Sequence, residues 1–119
     1  MNDNTETPFP NIPGLIAALA RLSEFDKTIQ LSTALTLLYV ARHQNTEGGV
    51  STGDIGKWVG ITPAAASRNS YYWAEGTDDM PQGGRQLITV APDPRDRRRR
   101  VTQLTLDGET VVRELNALL

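Results

Sequence analysis

Arginine supplies the densest chemistry in this chain. Arg95, Arg97, Arg98, Arg99 and Arg100 fill five of six positions, with Asp96 among them and Pro92, Asp93 and Pro94 just before. Five like charges so close together repel, so the run is costly unless an anion meets it. A nucleic-acid backbone supplies that anion, and a narrow minor groove offers arginine an enhanced negative potential. A solvated basic turn is the competing reading, since charge blocks are commonly just hydrated. A second group lies upstream, where Thr62, Pro63, Ala64, Ala65 and Ala66 precede Ser67, Arg68 and Asn69. Small residues at a helix N-terminus let backbone N–H groups approach phosphate, and Arg68 and Asn69 suit guanine and adenine edges. The same alanines also suit close packing of one helix on another.

Other chemistry is sparse. Asp78–Asp79 has no histidine near it in sequence and, within an acidic, Gly-rich stretch without periodicity, reads as a solvated loop. His43, the only histidine, falls at the end of an apolar helix pattern. With no cysteine there are no disulfides, thiolate ligands or cysteine redox switch, and no cofactor, metal site or enzyme is expected. The 119 residues suit one domain with a modest core, and 39% hydrophobic content is ordinary. No apolar run approaches spanning length and no signal peptide is evident, so a cytoplasmic protein without a membrane partner is expected. The net charge of −2 argues against binding nucleic acid by bulk charge, yet Arg85–Arg100 carries six arginines against two aspartates.

Several elements must position these groups. Residues 1–10 read as a flexible arm, and 11–119 as the folded domain. Asn11 is placed to cap a helix to Phe25 with Pro13 near its start, its stripe formed by Leu15, Ile16, Leu19 and Leu22. A second helix over Ser32–His43 has Leu31, Leu35, Leu38 and Tyr39 on one face, thickened by Leu37, Val40 and Ala41. Ser51 then caps a short helix with Asp54 at its third position, Ile55, Trp58 and Val59 inward and Gly60 at its end. Thr62 caps the next, Pro63 opens it, and it runs to Trp73 or Ala74; Tyr71, Tyr72 and Trp73 read as core and flank. This pair makes a helix-turn-helix. Glu75–Gly84 lacks periodicity and reads as a loop. Gln86–Val90 and Val101–Leu106 read as strands joined by a Pro- and Arg-rich loop, a hairpin with a charged tip. Thr105 caps a last helix whose stripe is Val111, Val112, Leu115, Leu118 and Leu119. Apolar terminal helices on so small a domain predict a homodimer through Leu15, Leu19, Leu22, Val111, Leu115 and Leu118.

The fold class is therefore mainly α with a small two-stranded β wing, a winged helix-turn-helix. The wing reads Asp93, Pro94, Asp96, Arg97, Arg98, then Leu104, Thr105 and Gly108. In this it resembles the multiple-antibiotic-resistance regulator (MarR) family at each position of D-P-x-D-R-R followed by L-T-x-x-G, and Ser67-Arg68 stands where that family places Ser/Thr-Arg. The likeness spans about residues 30–110. It implies a regulator of transcription, most simply a repressor, with Thr62–Trp73 reading the major groove of double-stranded DNA. It also implies that Arg98 enters the minor groove while Asp96 holds the wing through a salt bridge. The chain departs from the family by an insertion over Thr77–Gly84 and by a final helix of barely three turns. That helix cannot complete the long dimer stalk, which leaves a small-molecule effector open. The alternative function is a winged-helix module of a phage or plasmid accessory factor that binds a protein partner.

Overall fold

A computed structural model describes residues 8–119, so most of the expected arm, up to residue 7, lies outside the described residues. Within them the order is α1 (Ile12–Ser23), α2 (Leu31–Arg42), β1 (Val50–Ser51), α3 (Thr52–Val59), α4 (Pro63–Trp73), β2 (Ile88–Asp93), β3 (Asp96–Leu104) and α5 (Leu106–Leu118). The sheet is antiparallel in the order β1-β3-β2, so two residues ahead of α3 add a third strand to the expected two-stranded wing. Val50 pairs with Thr102, and the Thr102 hydroxyl donates to the Val50 carbonyl at 2.8 Å.

Local sequence sets most helix ends. Ser51 Oγ accepts from the Asp54 amide at 3.0 Å, Thr62 Oγ1 from Ala65 at 3.1 Å and Thr105 Oγ1 from Gly108 at 3.0 Å. Each such cap is worth about 1 kcal/mol. Asn11 differs: it holds the N-cap position of α1, but its backbone is αR and its side chain makes no capping hydrogen bond. Pro13 still sits in the first turn, where its missing N–H costs nothing.

α2 buries a stripe other than the leucine face. Thr33, Ala34, Thr36, Leu37 and Val40 are buried, whereas Leu31 and Leu38 are exposed. The cause is polar. The Trp73 indole N–H donates to the Thr33 carbonyl at 2.7 Å, and Thr33 Oγ1 donates to Asn69 Oδ1 at 3.2 Å. These bonds turn the first turn of α2 toward α4 and rotate Leu31 and Leu38 outward. Trp73 is fully buried, with Phe25 and Tyr72 set edge-on at centroid distances of 5.4 and 4.9 Å.

α5 closes the structure at the base of the wing. The Thr105 hydroxyl donates to the Gln86 carbonyl at 2.8 Å, and its amide donates to the Leu87 carbonyl at 3.0 Å. Gln86 has φ 56°, a left-handed conformation that costs a side-chain-bearing residue about 1–2 kcal/mol. The chain therefore bends there, and β2 starts at Ile88 rather than Gln86. Leu22, Val111 and Leu115, expected on a dimer surface, are instead buried in the core of this chain. α1 and α5 approach closely enough that a Cβ at Gly14 would lie 2.6 Å from the Leu118 carbonyl oxygen. The Arg21–Glu114 ion pair, at 2.9 Å, also joins the two helices.

The tightest backbone approach is at Gly108, where a Cβ would fall 1.9 Å from the Leu87 carbonyl oxygen. Gly108→Ala should therefore lower stability by about 2 kcal/mol or more. Overpacking outweighs the roughly 1 kcal/mol that alanine gains in helix propensity. At Gly53 the nearest atom to an added Cβ is 3.9 Å away, so Gly53→Ala should be neutral or stabilising. Urea unfolding of the two variants checks the contrast.

Candidate nucleic-acid interface

The helix-turn-helix is held by a close crossing. Gly60 ends α3 with φ 85°, and the Gly60 and Ile61 amides both donate to the Gly56 carbonyl, at 2.8 and 3.0 Å. A Cβ at Gly56 would lie 3.2 Å from the Ala66 Cβ. Fully buried Ala66 is thus a packing residue against α3. Thr62, Pro63, Ala64 and Arg68 are exposed, and Ala65, Ser67 and Tyr71 half-buried. The leading end of α4 is therefore open and poor in side chains, with Arg68 standing beyond it.

Asn69 does not belong to that open face. It is 8% exposed, accepts from Thr33 Oγ1, and donates through Nδ2 to Ser32 Oγ at 3.5 Å. It lies four residues before Trp73, so the two share the helix face that docks on α2. The expectation that Asn69 reaches a base edge is corrected accordingly, because that would break its bonds to α2.

The wing is also arranged differently from a charged loop. Asp93 pairs with Asp96, so only Pro94 and Arg95 form the turn, while Arg97–Arg100 lie along β3. Asp93 is buried. Its Oδ1 accepts from the Arg95 amide at 2.9 Å, and its Oδ2 faces Arg99 Nη1 at 3.6 Å. Arg99 Nη2 in turn faces Asp54 Oδ2 on α3 at 3.6 Å, so one guanidinium braces the wing against α3. Asp96 Oδ1 accepts from both the amide and Nε of Arg98, each at 3.2 Å. Among the described residues Arg97 and Arg100 have no carboxylate partner and are exposed. Sequence reasoning missed the Asp93–Arg99–Asp54 chain, which needs the hairpin register to be seen. Between the N-terminal end of α3 and the wing runs an open groove of about 570 Å³, lined by Thr52, Gly53, Lys57, Arg98, Arg99 and Arg100 among others.

One further expectation changes. Trp58 is 41% exposed rather than inward; it stacks on His43 at 4.2 Å and on Tyr39 at 5.7 Å. Asp79 is exposed in its loop, as expected, and there it forms an ion pair with Arg68 and accepts the Thr77 hydroxyl. The Thr77 hydroxyl first, and the Arg68 guanidinium second, hold the Asp79 carboxyl below its ordinary range. Beside this pair lies a cleft of about 450 Å³ reached by Asp26, Gln30, Asn69 and Tyr72. Burial first, then the charge of Asp26, raises the Tyr72 phenol. Among the described residues no three acidic or histidine side chains gather as metal ligands, and no helix is long and apolar enough to cross a membrane.

Asn69→Ala should destabilise the fold by about 1–3 kcal/mol, because it leaves the buried Thr33 hydroxyl without its acceptor. Its effect should appear in urea unfolding, with no change in preference between DNA sequences among folded molecules.

Solved structures share this arrangement. A complex of MepR from S. aureus with DNA is 26% identical, over 85% of this chain and 71% of that one, with a TM-score of 0.63. A point mutant of MepR bound to an oligodeoxyribonucleotide is 24% identical over 88% and 67%, with a TM-score of 0.65. The PcaV transcriptional regulator from Streptomyces coelicolor is 20% identical over 87% and 68%, with a TM-score of 0.56. No protein-family model and no curated protein sequence matches the chain. These structural neighbours are MarR-family winged-helix transcription regulators rather than enzymes, and the protein has their fold.

Proposed function

We propose that the protein is a sequence-specific, double-stranded-DNA-binding regulator of transcription, acting as a homodimeric repressor. The observation that carries this reading is the joining of two features in one fold. The end of α4 bearing Thr62, Pro63, Ala64 and Arg68 is open, and the wing strand β3 presents Arg97 and Arg100 exposed and, among the described residues, without carboxylate partners. Small leading residues let the amide end of α4 approach phosphate, and Arg68 then reaches the major groove. Wing guanidinium groups supply charge to the backbone or minor groove and carry little base information. The solved DNA complex of MepR, which shares the fold, supports the same assignment.

Dimerisation is read from the apolar face left outside the core. Ile12, Leu15, Ile16 and Leu19 on α1, with Leu118 and Leu119 at the chain end, are all exposed. Gathered on two packed helices, they form the kind of contiguous patch that a second copy covers. A two-fold dimer places two α4 helices on half-sites about one helical turn apart, and so requires an inverted repeat.

Selection of bound duplexes from a random-sequence library at physiological salt tests the function, with an inverted repeat as the expected product. On that duplex and on random DNA, Arg97→Ala and Arg100→Ala should weaken binding by similar factors. Each should also lower the slope of log affinity against log salt by about one. Recovery of no enriched sequence, together with unchanged binding by both variants, would refute the proposal and favour a protein partner.

A further inference from the structure

The loop between α4 and the wing is built onto α4. The Gly84 amide donates to the Tyr72 carbonyl at 2.9 Å, Gln86 to Ala74 at 2.8 Å and Leu87 to Trp73 at 2.7 Å. Gly76 donates to Tyr71 at 2.7 Å, so backbone bonds to α4 fix both ends of the loop. Its middle is fixed by Met80, which is 9% exposed and inside the core. A Cβ at Gly83 would lie 3.2 Å from the Met80 Cβ and 3.3 Å from Tyr72 Cδ2. Arg85 anchors the far side, donating to the carbonyls of Gln82 at 2.9 Å and Phe25 at 2.7 Å. A loop held this way carries Asp79 at a defined place, beside Arg68.

We infer that Asp79 is a specificity-determining positioning residue: it pins Arg68 for base recognition and sets a negative charge where DNA phosphates would pass. The inference rests on the DNA-reading function proposed above. Three features point to it. Asp79 uses one oxygen on the Thr77 hydroxyl and the other on Arg68 Nη1, so its carboxylate is itself oriented. Arg68 contacts Asp79 through Nη1, and a guanidinium held at one corner still offers the paired donors that a guanine O6/N7 edge accepts. Stability gives the pair little reason to exist, because Arg68 and Asp79 are both more than half exposed and solvent screens such pairs. Two effects on DNA follow. An arginine already neutralised by Asp79 adds little to non-specific phosphate attraction. On the right sequence the same arginine arrives with its side chain ordered, which lowers the entropic cost of the contact.

The test compares wild type, Asp79→Asn, Arg68→Ala and the double variant. Binding is measured on the duplex recovered by selection and on a random duplex of the same length, at two salt concentrations. Asp79→Asn should leave thermal unfolding unchanged. It should tighten binding to random DNA several-fold while weakening the selected duplex, so that the ratio of the two affinities falls about tenfold or more. In the Arg68→Ala background the same change should leave that ratio unaltered, since the residue acts through Arg68. An equal gain on both duplexes would show a plain charge effect and overturn the inference, as would an unchanged ratio. Wild type binding neither duplex would instead remove the DNA-reading function, and the inference with it.

Discussion

The orientation of α4 depends on two hydrogen-bonded side chains one turn apart. Asn69 and Trp73 both engage the first turn of α2, through Thr33 Oγ1, Ser32 Oγ and the Thr33 carbonyl. Asn69, Trp73 and Thr33 are buried, so breaking a bond among them leaves a polar atom without a partner, a far larger penalty than the bond's net worth. Hydrophobic packing alone fixes a helix to its neighbour without choosing its rotation sharply, whereas directional bonds at i and i+4 choose one face. With Asn69 and Trp73 inward, Ala64 and Arg68 are turned outward. The electrostatic character of the open face follows from that choice.

The wing shows a similar division between structure and interaction. Of its arginines, Arg99 is a strut between Asp93 on the hairpin and Asp54 on α3, Arg95 closes the turn over Asp93, and Arg98 is folded back on Asp96. Among the described residues, Arg97 and Arg100 are left exposed and without a carboxylate partner. Packing carboxylates among the arginines lowers the repulsion that five adjacent cations impose on the folded state. The near-buried Asp93 matters most here, because a buried carboxylate persists only where hydrogen bonds and cations surround it.

Much of this was legible in the residues themselves. Ser51, Thr62 and Thr105 announce helix starts because a hydroxyl acts on the backbone two or three positions ahead, a strictly local event. Gly60 announces a stop for the same reason, through its left-handed φ. The wing motif marks where the hairpin and α5 meet, and Gly108 proves to be there because the Leu87 carbonyl leaves no room for a side chain. What periodicity concealed were choices made at a distance. Leucines at helical spacing named Leu31 and Leu38 as the buried face of α2, but Asn69 and Trp73 on α4 bond to Thr33 and hold its face inward instead. Leu22, Val111 and Leu115 looked like surplus apolar surface until α1 and α5 were seen to cross over one core. The ion pair of exposed Asp79 was hidden because its partner lies eleven positions back, beyond any local pattern.

Entry of the leading end of α4 into the major groove of DNA is what every proposed role above requires, and the chain offers a direct way to see it. It contains no cysteine, so Ala64→Cys creates a unique attachment point for a tethered DNA-cleaving reagent at the exposed start of that helix. On the selected duplex the conjugate should cut in two clusters about one helical turn apart, one for each α4 helix of a dimer. Cleavage spread evenly along the duplex, or matching that from the same reagent placed at exposed Leu31 on α2, would contradict that placement.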